Sequence, residues 1–210
     1  MSNSSSAAQP ALTAADADRA AVERGRHTRL PGNTGIWVFI LVDLIFFAML
    51  FLSFVMERSG KAALFAASQK TLNFELGLVN TLILLTSSWL VVLAVEAARA
   101  GKQKMVPRFL MLAIACGLAF IAIKIFEYSA KFSVGISMLT NDFFMFYFLV
   151  TGIHFVHVIA GTGVLTFIVH RAKSGAYQPG QVQGIEMAAV YWHMVDLLWV
   201  MLFPLIYLSS

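Results

Sequence analysis

Residues 186–208 read EMAAVYWHMVDLLWVMLFPLIYL, a stretch apolar enough to dissolve in hydrocarbon that nevertheless carries Tyr191, His193 and Asp196. Two more histidines, His154 and His157, stand three apart in an earlier apolar run, Asp43 interrupts the first such run, and Lys124 and Glu127 stand three apart near the end of the third. Imidazole and carboxylate are ordinary ligands of zinc, copper and iron, so His154, His157, His193 and Asp196 can be drawn as a four-ligand site. A haem needs one histidine from each of two facing helices, which His154 or His157 with His193 would supply. No HExxH or Cys-His spacing supports either drawing, and no metal is assigned. The competing reading is a buried polar network of His154, His157, Tyr191, His193 and Asp196, in which each group has found a hydrogen-bond partner. A further reading, a proton or ion conductor, uses Asp43, Glu127 and Asp196. Against it, five spans show no inverted repeat and the acids stand at different depths. No nucleophile elbow, phosphate loop or nucleotide fingerprint is present, which argues against a self-contained enzyme with catalytic residues of its own.

The elements that must position these groups follow from composition. Of 210 residues 59% are hydrophobic and 12% charged, with a mean hydropathy of +0.78, outside the usual range of soluble domains. Five windows are long and apolar enough to cross a bilayer: 36–56, 78–98, 108–128, 143–170 and 186–208. The expected fold is therefore all-α, an integral membrane bundle of five transmembrane helices in residues 36–210, preceded by a flexible tail over residues 1–35. The tail has neither the apolar core of a secretory signal nor the acid-poor composition of a transit peptide, and a bacterial inner membrane fits. The one cysteine, Cys116, cannot form a disulfide within the chain and is read as packing.

The net charge of +4 forms no basic run, so no nucleic-acid partner is expected. Ten of the fifteen basic residues sit in the tail, in the loop 99–108 and at Arg171 and Lys173, whereas four (Arg58, Lys61, Lys70, Lys131) lie on the opposite side. The positive-inside rule then places the N-terminus in the cytoplasm and the C-terminus outside.

Within the spans, polar residues need reasons. An aspartate at a helix centre costs about 2.5 to 3.5 kcal/mol on insertion scales, so Asp43 must be protonated, hydrogen-bonded or aimed at a wet site. By helix rise it shares a level with His193 and Asp196, which makes either of these, or a partner subunit, its expected neighbour. In the second span Asn80 with Ser87 and Thr81 with Ser88 repeat at seven and mark two edges of one seam. Lys124 is expected to snorkel to the outer headgroups, with Glu127 reaching Lys124 and Lys131. In the fourth span Gly152, Ala160 and Gly163 share one face and His154, His157 and Gly161 another, so both are read as packing faces. In the last span His193, Asp196, Val200, Phe203 and Tyr207 follow 3-4-3-4 spacing, read as the packing seam.

Several of these strings resemble subunit III of the haem-copper oxidases. Tyr191-Trp192-His193 with Val195-Asp196, Trp199 and Tyr207 resembles its final helix, and Thr151-Gly152-x-His154-x-x-His157-Val158 is similar to its Thr-Gly-x-His-x-x-His-Val motif. Glu127-Tyr128 matches the pair ending a third helix, Asn80-Thr81 with Ser87-Ser88 resembles a second, and Asp43 stands where the family carries a glutamate one methylene longer. The residues from Phe65 to Asn73 look most like the shorter members found beside nitric oxide reductases, and the chain as a whole is similar to the short quinol-oxidase and nitric-oxide-reductase-associated members. The resemblance covers about 170 residues in family order and corresponds to the last five of seven helices in longer members. It implies an accessory subunit with no redox centre of its own, which flanks the catalytic subunit I, holds phospholipid and supports proton uptake through a partner-facing Asp43. Haem with copper, or iron in the nitric oxide reductase alternative, would sit in that partner. Whether cytochrome c or quinol donates the electrons is carried by other subunits.

Overall fold

The computed structural model describes residues 34–173 and 182–208. The expected tail lies outside them, except for its last two positions, which already belong to the first helix. The elements are α1 (Thr34–Gly60), α2 (Ala62–Gln69), α3 (Phe74–Arg99), α4 (Val106–Ser133), α5 (Asp142–Lys173) and α6 (Gln183–Phe203), the last continued by a wider turn of i→i+5 type at Pro204–Leu208. No strand occurs among the described residues. Five of the helices are long and apolar enough to span a membrane. The short α2 falls in the connection between the first two spans. Phe65 accounts for it, because its ring packs 5.3 Å from that of Phe54 and 5.6 Å from that of Phe143, folding the connection back onto the bundle.

Local chemistry sets the helix ends. Asn73 caps α3 by accepting the Leu76 N–H at 3.2 Å, and a proline in the first turn of α4 has no N–H to leave unpaired. α3 and α4 each stop before a glycine of positive φ, Gly101 at 70° and Gly135 at 79°. Charged residues then tie the ends together. Arg99 at the end of α3 meets Glu186 at the start of α6 at 2.8 Å. At the other end of the bundle the Lys61 ammonium bridges Asp142 and Glu57 at 2.5 Å each. The hydrogen bond to Asp142, then that to Glu57, hold Lys61 protonated above the ordinary lysine range.

Four helices, α3 to α6, form a closed ring of neighbours, and α1 lies outside it against α5 and α6. The core stripe of α6 is a heptad of Ile185, Trp192, Trp199 and Ile206, none more than 2% exposed. Of the seam expected through His193, Asp196, Val200, Phe203 and Tyr207, Asp196, Phe203 and Tyr207 are buried, whereas Val200 is 39% exposed and His193 only partly buried. The two indoles bury far more area than the polar residues beside them and so decide which face turns inward. They also dictate the glycines. A Cβ at Gly161 would lie 2.8 Å from the Trp192 ring, and one at Gly117 would lie 3.1 Å from it. The expectation of two packed faces on α5 fails for the same reason: Gly152 and Gly163 have nothing within 4 Å, whereas the Gly161 face receives the tryptophan. α1 buries a single line, Ile40, Phe47 and Phe54, and turns most of its other apolar residues outward, as suits a helix with lipid on one side.

Candidate functional site

The polar residues singled out in the sequence do not form one network; they are divided among four places. The first joins α1 to α5. Asp43 Oδ1 lies 3.1 Å from His157 Nε2, and the two side chains retain 12% and 17% exposure. His157 Nδ1 lies 2.8 Å from the Ile153 carbonyl oxygen, which can only accept, so this nitrogen carries a proton. The Asp43–Nε2 contact therefore holds one further proton, on the carboxyl or on the imidazole, and the pair is neutral either way. Asp43 Oδ2 is buried without a partner, and the Tyr191 hydroxyl donates to the His157 carbonyl at 3.4 Å. His157, not His193 or Asp196, is thus the neighbour of Asp43. The expectation by depth failed because α6 directs His193 and Asp196 toward α3, away from α1.

The second place is that α3–α6 seam. Trp192 donates to Ser87 at 3.1 Å, Trp199 donates to Thr81 at 3.0 Å, and Ser87 donates onward to the Ala113 carbonyl at 3.0 Å. Ser88 Oγ lies 2.6 Å from His193 Nδ1. Asp196 is 3% exposed, and both of its oxygens are buried without a hydrogen bond; Ser88, already engaged with His193, is its polar neighbour.

The third place lies toward the opposite end of α6. Lys124 is fully buried, which overturns the expected snorkelling, and Glu127 is 3% exposed. The ammonium donates to Glu127 Oε2 at 2.9 Å and to the Tyr207 hydroxyl at 3.1 Å, and lies 4.9 Å from the centre of the Trp199 ring. Glu127 Oε1 accepts from Tyr147 at 2.8 Å and from Tyr207 at 2.7 Å. The ammonium thus makes two hydrogen bonds and faces aromatic rings, and both carboxylate oxygens are hydrogen-bonded, which offsets the cost of keeping the lysine inside. Lys131 does not join; it donates to the Thr71 carbonyl. The fourth place is His154 alone, fully buried between Phe120 at 5.8 Å and Trp199 at 5.1 Å, with neither ring nitrogen paired. The set drawn as ligands is thereby dispersed, and among the described residues no three His, Cys, Asp or Glu side chains are placed to hold a metal.

Against this geometry the comparisons with known proteins are decisive. The family model of cytochrome c oxidase subunit III matches residues 14–210. The chain belongs to that family. Cytochrome c oxidase subunit 3 of Corynebacterium diphtheriae is 30% identical over 195 residues, covering 90% of this chain and 95% of that one. The protein of the same name from Thermostichus vulcanus is 27% identical over 177 residues, 84% of this chain and 86% of that one. A probable cytochrome c oxidase subunit 3 of Rickettsia felis is 33% identical over 192 residues, 83% of this chain but only 67% of that longer one. Subunit III proteins of about this chain's length are thus found among the relatives. The nitric oxide reductase alternative gains no support from them.

In this subunit III chain the sequence reading missed Tyr147. It lies seven residues before His154 on the buried stripe of α5, and a buried phenol requires an acceptor, so its spacing from His154 was a usable signal. Trp192 and Trp199, seven apart on α6, meet Ser87 and Thr81, six apart on the antiparallel α3, one from each of the two polar edges read in the sequence. The buried ion pair yields a specific expectation. Lys124→Met alone strands Glu127 and should destabilise the subunit by about 3 to 5 kcal/mol. Lys124→Met with Glu127→Gln should lose clearly less, because the amide oxygen still accepts from Tyr147 and Tyr207. Thermal unfolding of the purified variants checks this, and additive losses would mean that the two residues act independently.

Proposed function

We propose that this chain is the accessory third subunit of a haem-copper terminal oxidase in a bacterial inner membrane, carrying no redox centre of its own and serving the catalytic subunit that does. Membership of the subunit III family over residues 14–210 carries this reading. The partner's haem and copper supply the electron chemistry; this chain supplies packing surface, lipid contact and a proton-holding pair. Asp43–His157 suits the last role, since it holds one transferable proton, remains partly exposed, and keeps one carboxylate oxygen uncommitted. The Lys124–Glu127 group is unsuited to it, because it is buried and both carboxylate oxygens are already hydrogen-bonded to the ammonium and to two phenols. This contrast also disfavours an independent conductor, which would need its charged groups in a continuous file.

Phospholipid fits a cleft of about 530 Å³ between α1, α5 and α6, lined by Ile36, Phe39, Val164, Phe167 and Met187, with Arg171 among its lining residues. An apolar trough beside a guanidinium matches an acyl chain below a phosphate. The loop charges favour a cytoplasmic N-terminus and an external C-terminus.

Two measurements test this function. Asp43→Asn preserves shape and hydrogen-bonding capacity, so the subunit should assemble fully while turnover of the purified oxidase falls severalfold more near pH 9 than near pH 6. The sign follows from supply: protons are scarce at high pH, where a lost proton-holding group limits the rate. A wild-type pH profile with full occupancy would reject the proton role. Alkaline phosphatase fused after Ser210 should be active and fused within Gly101 to Met105 inactive; the reverse pattern overturns the topology.

A further inference from the structure

At mid-bilayer the outward edge of the α3–α6 seam is polar. Ser88 is about 16 Å from Arg99 along α3, and His193 and Asp196 are about 10 and 15 Å from Glu186 along α6, by helix rise; the Arg99–Glu186 bridge marks the polar end of both helices. By the usual thickness of a bilayer, this depth falls within the hydrocarbon. His193 is nonetheless only partly buried, and its one hydrogen bond, through Nδ1 to Ser88, leaves Nε2 without a partner among the described residues. Either tautomer leaves Nε2 as a hydrogen-bonding group, a donor if Ser88 donates to Nδ1 and an acceptor if Nδ1 donates to Ser88. Beside it Trp89 is 65% exposed at a depth where tryptophan, a residue of the membrane interface, is out of place. Deeper in, Asp196 keeps two uncompensated oxygens.

The shape at this level is a trough. α6 has α3 on one flank and α1 on the other, and between them its outward line, His193, Leu197 and Val200, forms the floor, with Leu197 51% and Val200 39% exposed. Leu85 at 47% exposure lies on the α3 wall. Lipid tails cover leucine well, but they cannot satisfy an imidazole nitrogen; in hydrocarbon, such a group needs another protein segment. Polar complementarity therefore selects the occupant.

We propose that the trough between α1 and α3 is a docking surface for a transmembrane helix of another oxidase subunit, which presents a hydrogen-bonding side chain to His193 Nε2 at mid-bilayer. The inference rests on the reading of this chain as subunit III. It assigns a contact separate from the Asp43–His157 pair, which joins α1 to α5. Trp89 and Leu85 flank the polar bond with the aromatic and aliphatic area that anchors a helix interface.

Site-specific photocrosslinking in the purified oxidase tests it. Benzoylphenylalanine in place of Leu85 or Leu197 should capture a polypeptide identified by mass spectrometry as another subunit of the haem-bearing complex, and the same probe at Phe126 of α4 should capture lipid. In parallel, His193→Leu and Trp89→Leu should each lower the subunit III retained per haem by about threefold, the size expected for one interhelical contact. His193→Gln, which keeps a hydrogen-bonding group, should restore retention. Capture of lipid alone at Leu85 and Leu197, capture of a second copy of this chain, or unchanged retention in both His193→Leu and Trp89→Leu would each overturn the proposal. Failure of the subunit III reading is distinguishable, because the wild-type chain would then purify without haem.

Discussion

Hydrocarbon offers no hydrogen bonds, and the rest of this structure depends on that constraint. A polar side chain placed at depth must be answered within the chain, by a partner subunit, or by enclosed water. The Lys124–Glu127 group is answered completely from within. Four helix segments, α4, α5, α6 and its terminal turn, converge on it, with Tyr207 reaching it from the wider turn after Phe203. The α3–α6 seam is answered in part, by indole-to-hydroxyl bonds that leave Asp196 and one nitrogen of His193 over. The Asp43–His157 pair is answered except for one carboxylate oxygen. These differences grade the polar residues from purely structural to outward-looking, and the gradation follows from counting donors and acceptors.

Much of this was legible in the sequence. The spans declared themselves by length and apolarity, the seven-residue polar repeat marked the seam of α3, and the Thr-Gly-x-His-x-x-His-Val string carried the family. Partner choice was not legible. His154 and His157 stand three residues apart, about 60° around a helix, and fall on opposite sides of the boundary between the core and α1. Depth from helix rise set Asp43 beside His193, but rise carries no information about the direction in which the neighbouring helix turns its side chains. Lys124 was misread because a lysine one turn from a span's end normally reaches headgroups; only the tertiary arrangement reveals an internal carboxylate and four aromatic rings within 6 Å. Trp192 and Trp199 outweighed the polar spacing of the last span for the simple reason of area.

Membership of the subunit III family implies a multi-subunit oxidase complex. The groups arranged here can hold a proton, pin helices and meet neighbours. The account's central claim, that the chain works as part of a haem-bearing complex, is tested most directly by affinity purification of the tagged protein from its native membrane. Mild detergent should yield an oxidase spectrum with a haem-bearing catalytic subunit in equal amount to the tagged chain, and the chain separated from that complex should be colourless. Recovery of the tagged chain without any haem-bearing subunit, or a Soret band that stays with the separated chain, would contradict it.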